Sequence, residues 1–206
     1  MIDSSQAARL VLTEAAALEP ILRRTPDAAF DLPTGCPGWS VRDVLAHCAA
    51  AMHRVSSGDP HRFTPEDNQA DVDARRDWPL PRLLDELLTG FPLCAKAIEE
   101  GGGRWDKVAL GVWVHGGDVR GPLGARDAYT SAGLDLALAL FERFATGLPS
   151  VRAELPDRVL HLGPPSATPA RVVTDVETLV RLLAGRDPNP ARFHTDVDPA
   201  VLTVFR

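Results

Sequence analysis

A chain of 206 residues, 45% hydrophobic and 24% charged, can bury one good core with a small appendage, but is cramped for two equal domains. The same balance separates it from disordered chains. Its formal net charge is −6, and its 20 arginines (against 2 lysines) are scattered singly or in pairs. With no basic stripe, nucleic acid is not an expected partner.

The opening stretch interrupts any apolar run with Asp3, Arg9 and Glu14, and no later segment reaches the length of a membrane span. The expectation is a cytoplasmic protein without membrane attachment. Cys36, Cys48 and Cys94 form no CxxC pair, so they read as free thiols.

From Ser4 to about Arg24, Ala8, Val11, Leu12, Ala15, Leu18 and Leu22 recur at helical spacing, with Asp3 or Ser4 to cap the start. The Pro- and Gly-rich stretch that follows reads as an irregular connection, with Cys36 and Trp39 tacking it onto the core. "SVRDVLAHCAAAMHRV" has the form of a capping box, Ser40 with Asp43, opening a second helix whose apolar face includes His47 and Cys48. Residues 56–79 read as a long polar loop. Pro81 opens a third helix that ends at Gly101–Gly103, with Pro92 a point of kinking. Further helices are expected from Arg104 to about His115 and from Ser131 to Phe144.

Beyond Pro149, "VRAELPD", "RVLHLG" and "ARVVTD" alternate like short strands, "DVETLVRLLAGR" reads as a helix capped by Asp175, and "DPAVLTVFR" fits a strand or a short helix. The chain is therefore expected to be mainly α: a helical bundle over 1–149, then a small α/β domain over 150–206.

His47 and His115 lie on different expected helices, the arrangement from which metal sites in bundle cores are assembled. The alternative is that each is a buried, hydrogen-bonded core histidine. A catalytic zinc usually has three protein ligands and one open position. One turn before His115 stands Gly111, which offers no ligand; Asp118 can substitute if the helix continues through Gly116 and Gly117. Each glycine weakens a helix by about 1 kcal/mol relative to Ala, so the helix is equally able to end there. His53, six positions after His47, points elsewhere. No GxSxG elbow or P-loop is present, and Cys48 reads as a core residue rather than a partner of His47. The four tryptophans can line a pocket or pack helix ends.

"CPGWSVRDVLAHCA", Cys36 to Ala49, resembles the N-terminal signature of the mycothiol-dependent maleylpyruvate isomerase family, in the wider DinB-like metalloenzyme superfamily. "VWVHGGDVRGPLG", Val112 to Gly124, is similar to its second signature, and "DVETLVRLLAGR" to an element near the end of its C-terminal domain. The resemblance implies an up-down-down-up four-helix bundle, a small α/β domain, a divalent metal (usually zinc), and mycothiol as co-substrate in isomerising or alkylating small electrophiles. By motif position, it implies His47 and His115 as metal ligands and Arg186 as a C-terminal catalytic arginine facing a cleft.

The family's third ligand, a glutamate, corresponds to Gly111. Three readings follow: a metalloenzyme whose site is completed by Asp118, a water or the thiol; a metal-independent isomerase or cyclase using the same cleft; and a non-catalytic relative that binds a small molecule or a protein. Oligomeric state is not specified by the sequence.

Overall fold

The computed structural model describes residues 3–59, 63–188 and 192–205, in two compact units, Met1–Leu136 and Ala137–Arg206. The expected long loop therefore includes three positions, 60–62, that lie outside the described residues.

Helix α1 spans Ser4–Leu22 and starts with a capping box: Asp3 accepts from the Gln6 N–H while the Gln6 side chain accepts from the Asp3 N–H. Two details differ from the apolar pattern. Leu12 is 48% exposed, and Glu14, a charged residue, is completely buried. Helix α2, Val41–Ser57, is capped by Ser40 and Asp43 and closes at Gly58. A box of this kind stabilises a helix start by about 1 kcal/mol.

Part of the expected loop is a helix, α3, Pro65–Asp73. Thr64 caps it and Pro65 occupies the first turn, a start signal that the helix's poverty in apolar residues hid. Ion pairs hold it in place: Arg54 of α2 with Asp71 at 2.5 Å, and Arg75, just beyond α3, with Glu86 at 2.6 and 2.8 Å. Helix α4, Leu80–Glu100, contains Glu86 and runs unbroken past Pro92, whose side chain is exposed. Helix α5 spans Asp106–Arg120, one turn longer than the expected end at His115, because it passes through both glycines.

The principal neighbours of both α1 and α2 are α4 and α5, so α1 and α2 face each other across the bundle. Leu10, Val11, Leu45, Met52, Leu87, Phe91, Leu110 and Trp113 fill its centre. Among the described residues, no helix is long and apolar enough to cross a membrane.

The second unit begins inside helix α6, Leu134–Phe144, where the expectation set the division at 149/150. Strands β1 (Val151–Glu154), β2 (Val159–Leu162), β3 (Ala170–Thr174) and β4 (Phe193–Thr195) form one sheet in the order β2-β1-β3-β4. Neighbours are antiparallel except β1 and β3, which run parallel, with Val151 opposite Leu162 on one side and Ala170 on the other. Alternation selects one buried face, Val151, Ala153, Leu160, Leu162 and Val172. Helix α7, Val176–Leu183, is capped by Asp175, as its sequence indicates. Strand β4 was not expected, being three residues long and too short for a visible alternation. The terminal "DPAVLTVFR" forms a 3-10 turn at Pro199–Leu202, after which Phe205 packs edge-on against Phe141 at 6.4 Å.

Candidate functional site

The segment before α2 folds back on itself as a small hairpin. Pro33 pairs with Ser40, Thr34 N–H donates to Trp39 O at 3.1 Å, and Val41 N–H to Leu32 O at 2.9 Å. Its tip is Cys36-Pro37-Gly38-Trp39, where Trp39 N–H donates to Cys36 O at 3.1 Å. Gly38 has φ +81°, so this turn needs a residue that tolerates the left-handed region; Pro followed by Gly is the type II pattern. The Thr34 hydroxyl accepts from Cys36 N–H at 3.1 Å and donates to Trp39 O at 2.9 Å. Backbone bonds on both sides thus fix Cys36.

This hairpin sits beside two histidines. His47 projects from α2 and His115 from α5, with ring centroids 4.9 Å apart and planes at 78°. Trp39 lies 5.1 Å from His47 and 6.3 Å from His115, centroid to centroid. Its indole N–H donates to Gln69 Oε1 of α3 at 2.9 Å, which anchors the ring.

His115 is oriented from behind. Its Nδ1 is 3.0 Å from Asp118 Oδ2, and the Tyr129 hydroxyl donates to Asp118 Oδ1 at 2.5 Å. Asp118 is 1% exposed, so its carboxylate exchanges solvent for these two partners. Burial by itself disfavours a charged imidazole, but the hydrogen bond its ring donates to Asp118 and its attraction to Asp118 and the Cys36 sulfur outweigh it and raise the His115 pKa to about 9. The donor atoms of Cys36, His115 and Asp118 all lie within 4.8 Å of one another.

The helix carries Asp118 to this place because α5 does not stop at its glycines. A Cβ at Gly116 would stand 1.8 Å from Glu14 Oε1, and one at Gly117 2.5 Å from the Tyr129 ring. Close approach, rather than flexibility, is their role. Glu14 of α1 forms a buried ion pair with Arg120, whose Nε and Nη2 also donate to Ala128 O at 3.1 and 3.0 Å. Burial pushes the Glu14 carboxyl up to about 7 even though Arg120 pulls the other way.

Several sequence-derived candidates therefore meet in one place: His47, His115 and Asp118. Gly111 lies on α5 one turn before His115 and supplies no side chain. His53 is exposed, and Cys48 is 5% exposed, in the core, with its thiol pKa raised well above 9 by burial. Trp113 is a core residue donating to Ala132 O at 3.0 Å, whereas Trp39 flanks the histidines. Arg186 belongs to the second unit, where it follows α7 and donates from Nη1 to Ala184 O at 2.9 Å. Cys36 is the residue that sequence reading missed. Its sequence context points to packing; its place at the tip of a Pro-Gly turn, just before a capping box, is the available signal of another role.

The residues present suit a divalent metal. Sulfur, imidazole and carboxylate donors within a few ångströms form a set that zinc accepts. A carboxylate holding the far nitrogen of a histidine is also the usual support behind a metal ligand.

A helical bundle carrying two facing histidines beside a thiol and a carboxylate, followed by a small four-stranded unit, defines the class. Residues 11–129 match the family model described as the mycothiol maleylpyruvate isomerase N-terminal domain, and the chain belongs to that family. Two crystal structures of the mycothiol-dependent maleylpyruvate isomerase are similar in fold. The first, of a histidine-to-alanine mutant, has a TM-score of 0.60 at 14% identity, covering 95% of this chain and 93% of that one. The second has a TM-score of 0.59 at 15% identity with the same coverage, 95% and 93%. No curated protein sequence matches the chain significantly.

Proposed function

We propose that this protein is a mycothiol-dependent-type isomerase or thiol transferase acting on a small electrophilic metabolite, built on an up-down-down-up bundle of the DinB-like kind. The observation that carries this reading is the meeting of His47 and His115, from two separate family motifs, with ring centroids 4.9 Å apart. In this reading His47 and His115 hold a divalent metal, with zinc the ion best suited to them, and Asp118 supports the site from α5 through His115. When bound, such an ion lowers the pKa of a thiol and so supplies a thiolate nucleophile at neutral pH.

The chain's own residues act around it. Trp39 shields one side of the histidine pair from water, Asp118 fixes the tautomer and tilt of His115, and Tyr129 fixes Asp118. Arg186 is assigned to the anionic part of the substrate, on the resemblance of "DVETLVRLLAGR" to the family's C-terminal element. The site is expected to act in the cytoplasm, on a small molecule rather than on nucleic acid or membrane.

A second reading, metal-independent catalysis in the same cleft, is favoured by the missing side chain at Gly111 and by the raised pKa of His115, which makes it a proton donor at neutral pH. Metal content of the untagged protein, with His47→Ala and His115→Ala alongside, separates the two. A stoichiometric metal lost in both variants supports the first reading. Turnover of an electrophile such as maleylpyruvate that requires mycothiol then tests the activity, and a metal-loaded protein without thiol-dependent turnover would refute it.

A further inference from the structure

We infer that the Cys36 thiolate is the third protein ligand of the metal site, standing in for the side chain that Gly111 lacks. The inference rests on the metal reading above and names the ligand that reading leaves short. A site of two histidines is one donor below the usual three. Asp118 is poorly placed to make up the number, since both its oxygens already have partners, Oδ2 at His115 Nδ1 and Oδ1 at the Tyr129 hydroxyl. Moving it onto a metal would break the support of the very histidine that binds there.

Cys36 meets the requirement from a different element. Its sulfur, the His115 ring and Asp118 have donor atoms within 4.8 Å of one another. With Nδ1 turned to Asp118, Nε2 would be the histidine nitrogen that takes a metal. Thiolate sulfur and imidazole nitrogen are both donors that zinc accepts, so Cys36 and His115 would hold such an ion together. The backbone at Cys36 needs no adjustment, being tied through Thr34, the Gly38 turn and Trp39. The residue is half-buried, whereas Cys48 and Cys94 are at most 5% exposed and are core residues of α2 and α4.

Cys36 and His115 would share the ion with His47, whose ring lies 4.9 Å from that of His115, leaving a fourth position for the substrate thiol. Binding replaces the Cys36 proton with the metal and releases that proton to solvent.

Cobalt(II) reports sulfur ligation directly, through sulfur-to-metal charge-transfer absorption in the near ultraviolet. Titrating it into the full metal-free chain should give that band at one equivalent. The band should be lost in Cys36→Ser, which circular dichroism should find folded, and kept in Cys94→Ala. Zinc, competing for the same site, should abolish the band. A native protein that binds no cobalt, or binds it without the band, overturns the inference, as does a band that survives Cys36→Ser. Thiol-dependent turnover is measured separately: its absence with the cobalt spectrum intact would refute the proposed activity and leave the ligand assignment standing.

Discussion

Nδ1 of His115 and Oδ2 of Asp118 lie 3.0 Å apart on one face of α5, three residues apart in sequence, with Tyr129 on the second carboxylate oxygen. This chain holds the remaining ring nitrogen of His115 in a defined direction. Asp118→Asn keeps the size of the side chain and weakens its acceptor. Zinc affinity, measured by competition with a chromophoric chelator, should fall about 10- to 100-fold. An unchanged affinity would remove Asp118 from the site.

In the metal-free protein the same pair predicts a titration. The His115 pKa is raised from 6.5 to about 9, so the folded state binds this proton more tightly than the unfolded chain. The stability it contributes is fully present below 6.5 and is lost as pH rises through about 9. Histidine chemical shifts followed by NMR should show one ring titrating near the upper value, moving down in Asp118→Asn.

Glu14 gives a second pH dependence, at lower pH. Its folded pKa is about 7 against an ordinary 4.5, because burial disfavours the carboxylate more than Arg120 favours it. Stability from this group is full below 4.5 and is lost as pH rises through 7. Thermal unfolding midpoints should therefore decline across that interval, and Glu14→Gln should flatten the decline. A variant with the wild-type pH profile would show that Glu14 titrates normally.

Gly116→Ala tests how tightly α5 packs on α1. In an open helix the change would stabilise by about 1 kcal/mol. Here the new Cβ would stand 1.8 Å from Glu14 Oε1, against a buried ion pair that cannot swing into solvent. Overpacking should win, with a net loss of about 1–3 kcal/mol in denaturant unfolding. A more stable variant would mean that Glu14 is free to move.

Gly111→Glu places a carboxylate one turn before His115. Zinc affinity should rise if position 111 faces the metal. A correctly folded variant with unchanged zinc affinity would argue against His47 and His115 surrounding a common ion.

Much of the bundle was legible because its causes are local. Ser40 with Asp43, Asp175 before α7 and the apolar spacing of α1 each act within a turn or two of chain, and the structure keeps all three. The expected helices offered the pairing of His47 with His115 as one of two readings, and the family motifs made it specific, since no spacing rule joins residues on separate helices. Helix α3 escaped notice because ion pairs from its neighbours, rather than an apolar stripe, hold it.

Local sequence thus specified the capped starts of α1, α2 and α7, most of their apolar faces, and that position 111 has no ligand to offer. The tertiary structure decided the rest. Whether α5 ended at Gly116 or ran on to Arg120 depended on what pressed against those glycines, and Glu14 and Tyr129 come from elsewhere in the chain. Whether Cys36 was packing or chemistry depended on a hairpin bringing its sulfur to a ring 79 positions away, on α5. Such contacts arise from packing between distant segments, and local preference carries no record of them.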